Sequence, residues 1–229
     1  MKDFNDILAG YTSTVEDNSE IQSLELFLQT IPKFSNVLTQ QKCEKPSIVY
    51  WEKRLEIFNE KMYRKSFDIK VKQINDKKIA EFNYKTLMGI LLNSEYLSKW
   101  KKDVKLQCDA CEKIDDIKHI LYECTLLIRM WNAVSRFMDN NINLNNILFG
   151  IDRDNVNISR NLNYIISLIS FFNYKFWLLC FKQKRKRTPE VYTHFIRNEI
   201  LNRIQICSVL KWNYVKAGLE KILVLYNDY

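Results

Sequence analysis

The chain has 229 residues, of which 47% are hydrophobic and 13% aromatic, and it holds only four glycines and three prolines. That length suits one domain or two small ones and is enough to bury a core without a metal's help. Scarce breakers and long periodic segments favour an all-α chain, and the many aromatics argue against disorder.

The net charge of +8 is unevenly spread. Residues 1–31 carry one base and six acids, whereas residues 125–217 carry 14 bases and five acids. A basic C-terminal half suits a polyanion such as RNA or DNA, with a solvated lysine-rich surface as the plain alternative. Six cysteines in a chain this long do not form a disulfide framework. Met1 is not followed by an apolar signal segment. The expected compartment is therefore reducing, nuclear or cytoplasmic.

Residues 1–44 read as a weakly structured acidic leader, and residues 45–229 as a helical domain. Within the leader, Ile21, Leu24, Phe27, Leu28 and Ile31 recur at helical spacing until Pro32 stops them. Ser47 is positioned to cap a helix whose face carries Ile48, Trp51, Leu55, Phe58 and Met62. A second helix is expected around Ile79, Phe82, Leu87, Ile90 and Leu91. It passes Gly89, which either admits a close neighbour or costs about 1 kcal/mol. Asn93, Ser94 and Glu95 read as a break and a new cap before a short helix carrying Tyr96, Leu97 and Trp100.

The stretch 108–124 then stands out. Cys108, Cys111, His119 and Cys124 follow the spacing C-x2-C-x7-H-x4-C. Thiolate and imidazole select Zn²⁺, and four such ligands close a tetrahedral structural site. A catalytic zinc keeps an open position, so four good ligands point to a structural Zn²⁺. His119 and Cys124 are five residues apart, which leaves them roughly 140° apart on an α-helix. The backbone must therefore turn between them, or a helix must begin near Cys124. Glu123 and Asp109 read as surface or supporting residues. The adjacent carboxylates Asp115 and Asp116 lack the flanking strands of a two-metal polymerase site.

Beyond the knuckle, Leu127, Met130, Trp131, Val134, Phe137 and Met138 form an apolar stripe that Asp139, Asn140 and Asn141 end. Residues 143–161 read as a polar loop anchored by Ile147, Leu148 and Phe149. Leu162, Ile165, Ile169, Phe172, Phe176 and Leu179 then mark a core helix. Residues 161–181 are long enough to span a bilayer, but Asn163, Ser167, Ser170, Asn173 and Lys175 interrupt them. No membrane partner is expected.

The run Lys182, Lys184, Arg185, Lys186 and Arg187 has three readings: a phosphate-binding surface, a nuclear address, or the solvated C-terminus of a helix. Lys175, a turn or two earlier, extends the patch, giving a basic helix end over 175–187. Phe176, Trp177 and Phe181 interleave there and read as core rather than base-stacking rings. Thr188 caps a further helix with Pro189 in its first turn and Ile196, Ile200, Ile204 and Cys207 aligned. A last helix carries Val215, Leu219, Ile222, Leu223 and Tyr226. His194 reads as a surface or packing residue. The chain has no Gly-rich phosphate loop, nucleophile elbow or H-E-x-x-H motif, and no catalytic residue is assigned.

The order of these pieces resembles the region downstream of the polymerase in non-LTR (LINE-type) retrotransposon reverse transcriptases. The resemblance covers roughly residues 45–210. It is carried by Tyr50, Trp51, Glu52 and Leu55, by Phe82, Tyr84, Lys85, Leu87, Ile90 and Leu91, and by Leu97 with Trp100. The knuckle ending at Cys124 and then Trp131 follow, and the Asn146–Gly150 segment, the Ile-rich helix 162–181 and the Lys/Arg run resemble the C-terminal tail of such open reading frames. The resemblance implies a helical, bundle-like domain with an inserted CCHC zinc knuckle that helps hold template RNA and target DNA. It also implies a reverse transcriptase core as a partner. The polymerase and endonuclease motifs are missing, so the expectation is a truncated or domesticated copy that is not itself an enzyme. The alternative is a zinc-stabilised protein–protein interaction module with no affinity for nucleic acid.

Overall fold

The computed structural model describes residues 46–99 and 104–228. The leader, Cys43 and Trp100 lie outside them. Among the described residues the architecture is all-α, with a single isolated bridge between Gln107 and Ile114 and no strand. In chain order the helices are α1 (Pro46–Glu52), α2 (Glu60–Phe67), α3 (Lys77–Leu87), α4 (Ser94–Ser98), α5 (Ile128–Met138), α6 (Leu144–Phe149), α7 (Val156–Lys182), α8 (Pro189–Val209) and α9 (Asn213–Asn227).

The helix expected across residues 47–62 is two helices. The cause is Asn59, whose side chain accepts the Met62 N–H and starts α2 afresh. Phe58 falls in the break and packs beside Tyr63 and Phe149. Ser47 lies inside α1, so it is not the cap. Its hydroxyl instead accepts a 2.7 Å bond from the Tyr63 phenol. Trp51 is fully buried, and its indole N–H donates to the Leu87 carbonyl at 2.8 Å. Burying such a ring contributes upward of about 2 kcal/mol, and the bond satisfies its one polar atom.

α3 stops before Gly89 rather than passing it. Gly89 takes φ +68° and ends the helix, with the Ile90 N–H reaching back to the Lys85 carbonyl. It also admits a close neighbour. A Cβ there would sit 2.6 Å from the Tyr50 ring. At Asn93 the new cap forms as expected, with the side chain accepting the Tyr96 N–H. The stripe after the knuckle becomes α5, which ends where Asp139 adopts φ +49°.

The loop expected over residues 143–161 contains more helix than its polarity suggests. Asn143 and Asn146 form a reciprocal capping box at α6. Asn155 caps α7 seven residues before Leu162, the first apolar position of the expected helix.

α7 is the organising element. Its 27 residues span roughly 40 Å. It packs against α3, α8, α9 and the turn that carries His119. It is long and apolar enough to cross a membrane, with a mean hydropathy of 1.4, yet 67% of that window is buried inside the protein. Ser170 bonds back to the Ile166 carbonyl of the same helix, and the other polar residues that interrupt it bond to neighbouring elements. Asn163 exchanges two 2.7 Å bonds with the Ile151 backbone. Ser167 accepts from Asn83, and Asn173 accepts from the Tyr192 phenol at 2.7 Å.

The C-terminal helices close the core as the periodicity predicts. Thr188 caps α8, with Pro189 in the first turn, and Ile196, Ile200 and Cys207 are buried. Val215, Leu219, Ile222 and Tyr226 are buried along α9. α9 packs on α5, α7 and α8. Gly218 brings its backbone close, because a Cβ there would meet Ile165 and Phe137 within 3.0 Å.

Candidate metal centre

The first two donors come from a miniature hairpin. Cys108 N–H donates to the Lys113 carbonyl, and Asp115 N–H to the Leu106 carbonyl, both at 2.8 Å. Glu112 supplies the left-handed residue, φ +61°, that reverses the chain after Cys111. The Ala110 N–H points at Cys108 Sγ, 3.4 Å away. This tight turn directs both thiols to one side.

The other two donors come from a π turn, His119–Glu123. Asp116 caps its start by accepting the His119 N–H at 2.8 Å. The Cys124 N–H then closes on the His119 carbonyl five residues back, at 3.1 Å. An i→i+5 closure advances less per residue than an α-turn, and Cys124 then switches to extended backbone with ψ 133°. These two adjustments solve the spacing problem by turning the backbone between His119 and Cys124. A short 3-10 turn, Thr125–Leu127, leads into α5.

The ligand atoms of Cys108, Cys111, His119 and Cys124 all lie within 4.8 Å of one another. Cys108 Sγ is 3.8 Å from Cys124 Sγ, and Cys111 Sγ is 3.4 Å from His119 Nε2. Cys108, His119 and Cys124 are buried and Cys111 is half-buried. His119 Nδ1 is buried without a hydrogen-bond partner. The cluster can bind a metal ion. Its donor set fits one well: three sulfurs and an imidazole converge at a site where three of the four residues are buried.

The electrostatics favour a thiolate on Cys108. The Cys124 thiol, donating to Cys108, pulls the Cys108 thiol down to about 3, with His119 and the Ala110 N–H assisting against burial. The same contact, together with burial, drives Cys124 up. Two thiolates this close repel one another unless a cation sits between them.

Behind the donors lies a buried ion pair that the sequence did not reveal. Arg187 clasps Asp115 in a fork, Nη1 to Oδ1 at 3.0 Å and Nη2 to Oδ2 at 2.6 Å. The Trp177 indole N–H adds a third bond to Asp115 Oδ2 at 3.0 Å. His119 Nε2 lies 3.8 Å from the same carboxylate. Burial opposes the Arg187 charge, but the Asp115 bonds and the nearby Cys108 and Cys124 raise its pKa above the ordinary value. Asp115 and Asp116 thus hold structure, one through Arg187 and the other as a cap. The pairing joins residues 72 apart in sequence, and no local spacing announces it.

This pairing changes the expected basic surface. Arg187 is only 9% exposed and is removed from the set of phosphate contacts, because its guanidinium is consumed by Asp115. Lys175 is bonded to Glu199 at 2.7 Å and is half-buried. Lys182, Lys184, Arg185 and Lys186 are exposed. None of these four forms an ion pair with a described residue. Lys182 ends α7 and the other three follow it through a left-handed turn at Lys184, φ +49°, with the Arg185 N–H returning to the Cys180 carbonyl.

The interleaved aromatics belong to the core. Trp177 is buried and stacks between Tyr174 and Phe181, and Phe176 meets Tyr192 edge-on. His194 is exposed and contacts Asn198. Cys180 and Cys207 are buried free thiols. No protein-family model, curated protein or solved structure matches the chain.

Proposed function

We propose that residues 46–228 are a zinc-bearing, nucleic-acid-binding helical module. In this reading Zn²⁺ on Cys108, Cys111, His119 and Cys124 closes an inserted structural knuckle. The module corresponds to the C-terminal zinc-binding region of a non-LTR retrotransposon reverse transcriptase. It holds RNA or DNA for a polymerase core and catalyses nothing itself.

The observation that carries the reading is the link between the donor cluster and the basic segment. Asp115 sits between His119 and Arg187, and Arg187 follows directly on the four exposed cations. A metal that orders the knuckle thereby orders the chain bearing Lys182, Lys184, Arg185 and Lys186. Those side chains supply phosphate contacts with little sequence preference.

Two measurements on the full chain test this. Elemental analysis of the purified protein is expected to find one zinc per chain. Affinity for a single-stranded RNA is expected to fall with salt at a log–log slope near −3, about −0.7 for each of four contacts. Reversing the four charges to Glu is expected to abolish that binding. Affinity that stays flat with salt, or survives the reversal, overturns the reading.

A second reading is favoured by one observation. Leu201, Ile206 and Val209 are exposed on α8, Val209 at 81%, with Leu210 exposed directly after it and Val224 exposed on α9. An apolar face of this kind suits a protein partner. A zinc-stabilised interaction module would then bind no nucleic acid at any salt concentration.

A further inference from the structure

A cleft of about 320 Å³ opens at the N-terminal end of α7, between the chain before α3 and the start of α9. Its volume lies at the lower end of those of small-molecule sites. Its walls combine aromatic rings, amides and one arginine.

Tyr164 is buried and fixed. Its phenol donates to Asp76 at 3.2 Å, and its ring meets Trp212 edge-on at 5.5 Å. Trp212 is half-buried, and Tyr214 beside it is 45% exposed. Asn75 and Asn161 also line the cleft, and their side-chain amides hydrogen-bond to no described residue. Arg160 is exposed, with a single bond to Asn157 at 3.2 Å.

The carboxylate lining the cleft is already used. Asp76 Oδ2 accepts from Tyr164 and from Arg203, while Oδ1 caps α3 by accepting the Lys78 and Ile79 N–H groups. Its charge is neutralised by Arg203 at 2.9 Å. An anionic ligand therefore meets a free cation and no free acid among these groups. An apolar ligand would leave the amides unanswered.

We propose that this cleft takes one unpaired base of a single-stranded nucleic acid. The base stacks on the exposed Tyr214 ring beside Trp212. Its edge is met by the Asn75 and Asn161 amides, and Arg160 meets the adjoining phosphate. Stacking and edge contacts of this kind need a base free of its duplex partner. The proposal rests on the nucleic-acid reading above and adds a second contact to it. Arg160 and Lys182 are separated by 22 residues of one helix, which places the cleft roughly 33 Å from the basic segment.

The test uses the full, metal-loaded chain and two 20-nucleotide single strands. One is an ordinary RNA, and the other has the same backbone with an abasic central run. Tyr214→Ala alters an exposed residue. It is expected to weaken the ordinary strand about 5- to 100-fold, the range of one lost stack. The abasic strand should bind wild type and variant within twofold of each other. A 2-aminopurine placed in the ordinary strand is expected to lose fluorescence on binding wild type, which reads stacking without any variant. Binding that is salt-steep but equal for the two strands, with no quenching, overturns the cleft and leaves the basic surface standing. Failure of the wild type to bind either strand overturns both.

Discussion

Among the described residues, two places bury formal charge, and they handle it differently. Beside the Cys/His cluster, Asp115 and Arg187 are 2% and 9% exposed and are joined by a two-pronged bond. Below α6, Lys70 is 2% exposed and has no acid beside it. Its ammonium donates to the Ile147 carbonyl, and burial pulls its pKa down to about 7. The first arrangement fixes two distant segments to each other and to His119. The second fills space between packed helices with an amine close to neutrality. A buried charge held by a partner marks a joint in the architecture, whereas one that burial weakens marks only a tolerated side chain.

Breaking the joint has the largest expected effect. Asp115→Ala leaves Arg187 buried without its partner and should cost about 3–5 kcal/mol in chemical denaturation. Replacing both partners, Asp115→Leu with Arg187→Met, should recover much of that loss. Equal losses in the single and double variants would mean that the pair does not act as a unit.

Lys70→Met should go the other way, stabilising the protein at pH 7 by on the order of a few kcal/mol, because burial penalises the charged amine only in the folded state. The sign follows from linkage. The folded pKa is depressed to about 7 from 10.5. The unfolded state therefore binds the extra proton between those values, and wild-type stability rises with pH across that window. The variant's advantage should shrink steadily from pH 7 towards pH 10. A constant difference across that range would show that the lysine stays charged when folded.

The smallest expected effect concerns the turn that delivers Arg187 to Asp115. Lys184 holds φ +49° there. Lys184→Gly should relieve that backbone and stabilise by ~0.5–1 kcal/mol. It also removes one cation, so the RNA salt slope should become shallower by about 0.7. Stability and affinity moving in opposite directions would separate the turn's two roles.

What the sequence made legible was local chemistry. Asn93, Asp139 and the Thr188–Pro189 pair act within one turn of themselves, and each ends or starts a helix as its type predicts. The same logic at Asn59, Asn143 and Asn155 was masked, because polar runs read as loop and the apolar spacing from Ile48 to Met62 read as continuous helix. The four donors were legible because their residue types are scarce and their spacing is short. Arg187 was not. It sits in a run of five identical charges, and the one that turns inward is chosen by Asp115, 72 residues away. The cleft at Tyr164 and Trp212 was invisible for the same reason, since its walls come from three separated segments.

The central claim is that one metal ion orders both the knuckle and the basic segment. Amide hydrogen exchange on the full chain, with and without a strong chelator, tests it most directly. Chelation should release protection across residues 106–127 and again across 184–188, while the middle of α7, around Ile165 and Ile169, stays protected. Protection of 106–127 that is unchanged by chelation, in protein from which no metal is recovered, would contradict the account.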